Sequence, residues 1–481
     1  MDTIVMYPSI GISHIMPMVE LAKQIQSHHP SFSITILITP QPFADGVAAT
    51  EAAIANIAAT FPSITFVHLT SSVSLPAPPP SPPSPSLHFN LASMNNPLLY
   101  HTLQSIGKSA NIKALVIDFF NSPAFDVSSV LDIPTYVYHT SSAGALAIML
   151  YMPVMHRLYT KSFKDYEEDI SVDIPGLPPV SISHMSNALV DRSSNFYNHF
   201  LNLGRQLPRA KGFLVNAFTA FQPDTLKTIS DGLCIPNGPT PPIFPVGPLI
   251  ATKPEKNNLI GDSRPECLRW LDKQPQSSIV FLCFGSMGVF PLPQLHQIAT
   301  ALENITQRFL WVVRPPLPDP VDDHNHIRST TAYSVASVLP EGFLERTKDR
   351  GFVVDSWAPQ VEVLAHGATG GFVTHCGWNS VLEAVWHGVP MVAWPLYAEQ
   401  KTNKLFLVEQ AKVAVGLKWE KDGSVRAEEL ETKVRELMEG DEGKRVRENA
   451  REMKAAARAA LEENGSSTVA LEGFVRMVKG E

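Results

Sequence analysis

The sequence predicts an α/β protein made of two halves, each built from βαβ units around a parallel sheet. Three observations lead there. Apolar, strand-like runs alternate with amphipathic helical stretches through the first half. The same alternation restarts beyond residue 265. The stretch between the two series, CIPNGPTPPIFPVGPLIATKPEKNN, is rich in proline and polar residues and reads as a linker, with the boundary near Pro248–Pro265.

In the first series, strands are expected at Thr3–Tyr7, Ser33–Thr39, Ile64–Leu69, Ala114–Phe120 and Thr135–His139. Between the first two, HIMPMVELAKQIQ sets Met18, Leu21, Ala22 and Ile25 on one helical face. In the second series, strands are expected at Ile279–Phe284, Phe309–Val313, Phe352–Asp355, Phe372–Thr374 and Met391–Trp394. The chain ends in charged helical segments, from RAEELETKVRELMEG to TVALEGFVRMVKG, whose charge runs read as solvated faces. LPAPPPSPPSPS at Leu75–Ser86 reads as a polyproline-like surface loop, and VDDHNH at Val321–His326 as a polar loop rather than a metal site.

Composition narrows the function. The chain has 481 residues, 44% apolar and 17% charged, with net charge −8. That acidity argues against a nucleic-acid partner and against an electrostatic membrane anchor. No apolar run approaches the roughly 20 residues of a membrane span, and MDTIVMYPSI lacks the layout of a secretory signal. A cytoplasmic protein is expected. Cys234, Cys267, Cys283 and Cys376 form no CxxC pair and read as buried free thiols. The sequons at Asn304 and Asn464 read as chance matches.

The densest chemistry lies in GFVTHCGWNSVLEAVWHGVP, residues 371–390. A strand delivers His375 to the carboxyl edge of a parallel sheet, where ligands bind. Gly377 permits a tight turn, and Asn379 and Ser380 open a helix whose first N–H groups and positive partial charge attract anions. This is a phosphate cradle with neither a Walker lysine nor GxGxxG. Glu383, one turn on, shares the Asn379 face and suits ribose hydroxyls, although taken alone it reads more readily as a solvated helix glutamate. Trp357, at another strand end, can stack on a flat base, and Pro359 suits a helix start. Gly285-Ser286 ends a third strand on the same edge, with Gly for access and Ser for a phosphate oxygen.

Together these residues resemble the signature box of the plant secondary-product UDP-glycosyltransferases, inverting enzymes of the GT-B fold. The box runs from Trp357 to Gln400, with FGS at Phe284–Ser286, FPVGPL at Phe244–Leu249 and His14 near the N-terminus also in place. The resemblance covers the whole chain and is nearest to the chalcone and flavonoid glucosyltransferases, through DIPGLPPV and PLYAEQK. It implies two Rossmann-like domains facing across a cleft: 1–248 for the acceptor, a linker at 249–264, 265–460 for the UDP-sugar, and a helix at 461–481 packing back on the N-terminal domain. It implies that Trp357 stacks on uracil, that the Ala358 main chain reads the base edge, and that Gln360 and Glu383 hold the ribose. Ser286, His375, Asn379 and Ser380 would hold the diphosphate, with Thr140 near sugar and diphosphate. Trp378, Glu399 and Gln400 would face the sugar. Gln400 goes with glucose in the family, and Trp378 stands where glucuronate users place an arginine. Gly367 and Thr369 depart from the common pattern, at positions not expected to touch the donor.

The transfer needs a base. His14, in SIGISHIMP, lies between the first strand and first helix, where the positive field favours a neutral imidazole. Asp118 ends the strand ALVID on the same edge. The resemblance makes His14 the base and Asp118 its orienting acid, although a lone loop histidine is often structural and such an aspartate can simply cap a helix. A single displacement with inversion is expected, with UDP-glucose as co-substrate, no cofactor or metal, a phenolic acceptor in an apolar interdomain cleft, and a monomeric protein. C-glycosylation of a phenolic ring remains open. Three other readings compete. A nicotinamide oxidoreductase lacks its GxGxxG. A non-catalytic UDP-sugar sensor would have no use for His14 and Asp118. A pyridoxal-phosphate phosphorylase would need a Schiff-base lysine.

Overall fold

A computed structural model of the chain describes residues 1–40, 44–69, 86–167, 169–250, 264–316, 334–420 and 422–481, with main chain only at 44–50 and 53. The chain divides into two compact units: Met1–Thr252 with Ala457–Glu481, and Lys253–Ala456.

The first unit holds β1 (Asp2–Tyr7), β2 (Ser33–Ile38), β3 (Ile64–His68), β4 (Asn111–Asp118), β5 (Thr135–His139), the short strands β6 (Ser171–Val172) and β7 (Val180–Ser181), then β8 (Phe213–Val215) and β9 (Ile243–Pro245). Its sheet runs β3-β2-β1-β4-β5-β8-β9 with every neighbouring pair parallel, while β6 and β7 make a separate antiparallel pair. The second unit holds β10 (Ile279–Cys283), β11 (Arg308–Val313), β12 (Gly351–Asp355), β13 (Thr369–Thr374), β14 (Met391–Ala393) and β15 (Ala414–Gly416), in the order β12-β11-β10-β13-β14-β15, again all parallel. In both sheets the strand order reverses beside the first strand, between β1 and β4 and between β10 and β13. The loops leaving those strands part there and open a crevice at the carboxyl edge.

The strands are continuous apolar runs because helices cover both faces of a parallel sheet. IVFLC of β10 is buried at every position. Each unit has its own core. Ile4, Met6, Met18, Leu21, Ile25 and Ile34 lie in the first, joined by Leu471, Phe474 and Val475 of the last helix, Ser466–Lys479. Phe474 meets Tyr136 edge-on at 5.0 Å, and Ser467 Oγ donates to the Gly247 carbonyl. In the second core Trp311 and Phe343 pack edge to face, as do Phe284 and Trp394. Fully burying one such side chain contributes about 1.5–3 kcal/mol.

The expected strands are present, with ends differing by a few residues. The instructive case is β4, expected to run to Phe120. It stops at Asp118 because the Asp118 carboxylate accepts from the Phe120 N–H (3.0 Å) and caps a short 3-10 turn, Phe119–Asn121. Strands β8, β9 and β15 were not expected, and each has only three residues. The linker expected at 249–264 falls at 251–263 outside the described residues, as do the polyproline loop up to 85 and the insert at 321–326. All four cysteines are free and buried. Among the described residues, no helix is long and apolar enough to cross a membrane.

Candidate active site

Each unit presents a cluster of chemistry at the crevice edge of its sheet. In the first unit, His14 stands in the opening turn of the helix Ile12–His28, just past β1, and Asp118 is the last residue of β4, the neighbouring strand. Asp118 Oδ2 accepts from His14 Nδ1 at 2.9 Å. The Asp118 side chain is fully buried and that of His14 is 16% exposed. With both Asp118 oxygens accepting, from His14 and from the Phe120 N–H, the imidazole proton belongs on Nδ1 and the lone pair on Nε2. That is the tautomer of a general base. Asp118 therefore both caps a turn and orients a histidine.

Rings surround this pair. Phe120 lies 5.5 Å from the His14 ring centre, His88 5.6 Å and Phe119 6.1 Å. His88 stacks on Phe120 at 4.6 Å and bonds Ser9 Oγ through Nδ1 (2.9 Å). Burial, aided by the field of His14, pushes the His88 imidazole down to about 4. His139, the last residue of β5, is wholly buried and held down to about 4 by the same desolvation. Both are neutral near pH 7. Thr140 follows His139 on this edge, nearly buried.

In the second unit, β13 ends at Thr374 and hands the chain to His375, Cys376 and Gly377. Cys376 takes a left-handed conformation (φ 64), its N–H donates to Thr374 Oγ1 (3.3 Å), and Asn403 Nδ2 donates to its carbonyl (3.0 Å). The His375 ring fills the gap between two glycines. A Cβ on Gly285 would come within 2.7 Å of Nε2, and one on Gly377 within 2.3 Å. Gly285 also needs a positive φ (73), so no other residue suits that turn. Burial pushes the His375 imidazole down to about 4, and its Nδ1 finds no partner among the described residues. The helix Trp378–His387 starts at Gly377 with no side-chain cap bond, and its N-terminal end carries the positive partial charge that favours anions.

Behind this turn the expected residues bond to one another. Gln360 Nε2, opening the helix after Trp357, donates to Ser380 Oγ (2.9 Å) and to Glu383 Oε2 (2.6 Å). Glu383 is no solvated helix glutamate: burial pushes its carboxyl up to about 7, against the lowering by the Gln360 bond. Trp357 presents its indole to solvent, 71% exposed beside buried Ala358. Its loop turns tightly at Ser356 (φ 62), with the Trp357 N–H donating to the Asp355 carbonyl. Ser286 is exposed on the loop after β10.

The comparisons with known proteins point one way. The chain is 46% identical over 489 residues to the anthocyanidin 5,3-O-glucosyltransferase of a Rosa hybrid cultivar, covering 99% of each protein. It is 43% identical over 494 residues to the phloretin 2'-O-glucosyltransferase of Pyrus communis, with the same coverage. Residues 264–454 match the profile of the family described as UDP-glucoronosyl and UDP-glucosyl transferase. The chain belongs to the UDP-glycosyltransferase family. It also resembles the solved structure of Phytolacca americana UGT2 complexed with UDP-2fluoro-glucose and pterostilbene, with TM-score 0.84, 32% identity and 100% of each chain covered. Its two parallel-sheet units are those of the GT-B fold, and like its relatives this UDP-glycosyltransferase is an enzyme.

Within the glycosyltransferase, Thr140 belongs to the first unit and the other residues expected at the donor belong to the second. Two side chains differ in disposition from a simple reading of the sequence. Trp378 is 3% exposed and packs on Phe406, ring centres 6.1 Å apart, so at the turn it offers its main chain rather than its indole. Gln400 is 3% exposed, and its Oε1 already accepts from the Leu396 and Tyr397 N–H groups (both 2.9 Å). With its oxygen so engaged, the amide can serve a ligand as a donor but not as both donor and acceptor. Glu399 caps the same short helix by its main chain, its carbonyl accepting from the Asn403 N–H (3.0 Å). Among the described residues, no three His, Cys, Asp or Glu side chains group as a metal site. Sequence reasoning missed His88, Phe120 and Asn403. HF at 88–89 and DFF at 118–120 were the available signals, but nothing local says that two segments 30 residues apart share one edge.

Proposed function

We propose that the protein transfers glucose from UDP-glucose to a hydroxyl of a phenolic small molecule, with inversion at the anomeric carbon. The observation that carries this is the 2.9 Å bond from His14 to buried Asp118 at the crevice edge, within a chain of this family. His14 Nε2 takes the phenol proton. The oxygen attacks the anomeric carbon as the bond to the diphosphate oxygen breaks, and UDP leaves with the electron pair. Asp118 stabilises the imidazolium so formed. The relatives' names support oxygen as the nucleophile, and anthocyanidins, phloretin and pterostilbene are all phenols.

On the donor side, Trp357 stacks on the uracil and the Ala358 main chain reads its edge. Gln360 and Glu383 bind the ribose. Ser286, His375, Asn379 and Ser380 hold the diphosphate together with the uncapped helix terminus. Gln400 donates to the glucose hydroxyls, with Trp378, Glu399 and Thr140 beside it. These preorganised donors serve the leaving group without a metal ion. Activity lost in EDTA and restored by Mg²⁺ would overturn that part. The acceptor packs on His88, Phe119 and Phe120. We also propose a monomeric, cytoplasmic enzyme acting as two domains, 1–248 and 265–460, with the segment 461–481 joined to the first.

The deciding experiment incubates the protein with UDP-glucose and a panel comprising a chalcone, a flavonol and a hydroxycoumarin. Mass spectrometry reads a hexose adduct, UDP release is assayed in parallel, and acid lability separates O- from C-glycosides. UDP release without an adduct would reject the acceptor class. Binding of UDP with neither product would favour a sensor.

A further inference from the structure

We propose that Arg314 is a positioning residue of the donor cradle, holding the Ser286 loop by its main-chain carbonyl and setting a full positive charge at the diphosphate. The inference rests on the donor-site reading above. Arg314 is the first residue past β11, whose neighbours in the sheet are β10 and β12. It therefore stands at the crevice edge between the loop of Ser286 and the loop of Trp357. Its Nη1 donates to the Ser286 carbonyl. Its Nε–H is buried and finds no acceptor among the described residues. Its field reaches the Cys283 thiol at the end of β10 and the Tyr397 phenol past β14, lowering both against burial.

The cradle needs such a charge. Ser286, Asn379 and Ser380 are uncharged, and His375, pushed down to about 4, is neutral at working pH. The helix terminus at Gly377 supplies only about half a unit of positive charge. A sugar diphosphate carries two negative charges, and departing UDP gathers more. A guanidinium fixed on the adjoining loop offsets this where the other donors cannot, and its planar fork can hold a carbonyl while facing an anion.

The test compares UDP with uridine, which has the base and ribose but no phosphate. Calorimetry would measure both affinities for the wild type, Arg314→Met and Arg314→Lys. We expect Arg314→Met to weaken UDP binding about tenfold or more while uridine binding stays within about twofold, since a hydrogen-bonded charge is lost only at the phosphate end. Arg314→Lys should recover part of the loss, and raising the salt should weaken UDP binding less in Arg314→Met than in the wild type. Unchanged UDP affinity in Arg314→Met would overturn the inference. So would an equal loss of UDP and uridine, which would mark Arg314 as scaffold alone. A wild type that binds uridine no worse than UDP would instead remove the diphosphate cradle itself, and the donor-site reading with it.

Discussion

In the proposed reaction His14 acts through Nε2, while Nδ1 is spent on Asp118. Replacing it removes the base and leaves every donor contact of the second unit intact. We expect His14→Ala to lower kcat by at least about a hundredfold, as loss of general-base catalysis does, while calorimetry finds UDP affinity unchanged. A parallel fall in UDP affinity would mean His14 has another place in the enzyme. Glu383 makes a pH prediction. Burial raises its carboxyl to about 7, yet in the proposed donor site the ribose hydroxyls need the carboxylate as acceptor. The proton must leave before the nucleoside binds. UDP affinity should therefore fall as pH drops through about 7, by up to about tenfold per pH unit. Titrations between pH 5.5 and 8.5 would show it, and in Glu383→Gln the dependence should flatten. At this scale the sequence was legible wherever one turn of chain sets the geometry, as from Asn379 to Glu383. It did not show the orientation of the Gln400 amide, which the N–H groups of Leu396 and Tyr397 set.

The decisive element of the second unit is the strand–turn–helix from β13 to His387. Two glycines on different loops sandwich the His375 ring, so the turn after β10 and the turn after β13 are one object. Gly377→Ala would drive a Cβ to 2.3 Å from Nε2, and the ring or the turn must move. Overpacking of this kind typically costs about 1–3 kcal/mol. We expect a lower melting temperature by calorimetry and a UDP affinity reduced about tenfold or more. An alanine variant equal to the wild type in both would show that the sandwich does not hold the cradle. In the first unit the matching element is the 3-10 turn that Asp118 caps, which brings Phe120 onto His88. Phe120→Ala should raise KM for a phenolic acceptor several-fold with little change in UDP affinity, measured by initial rates and calorimetry. Elements as long as β1 or β10 could be read from apolar runs. The three-residue strands β8, β9 and β15 could not, because their pairing is decided by the strands already in the sheet.

Across the molecule, three histidines, the partly buried His88 and the buried His139 and His375, are neutral and held down to about 4 by desolvation. Their unfolded value is about 6.5, so between these limits the unfolded chain binds more protons than the folded one. Stability is then lost as pH falls from about 6.5 toward 4. Glu383, raised in the folded state, works the opposite way over part of that window, but one carboxyl does not offset three imidazoles. We expect thermal melts to drop markedly between pH 7.5 and 5, with a loss on the order of several kcal/mol. A melting temperature that did not change over that range would contradict the burial of these rings. By itself the sequence determined the two α/β halves and the signature from Trp357 to Gln400, because each rests on local period, turn chemistry or a contiguous motif, and it offered His14 and Asp118 as two strand-edge residues that only the family resemblance joined. The tertiary structure alone decided that Asp118 reaches His14 across 104 positions, that His88 joins them, that Glu383 takes the Gln360 amide, and that Arg314 grips the Ser286 loop. Those facts depend on which strands lie side by side, and sheet order is set by long-range packing that no single stretch of chain records.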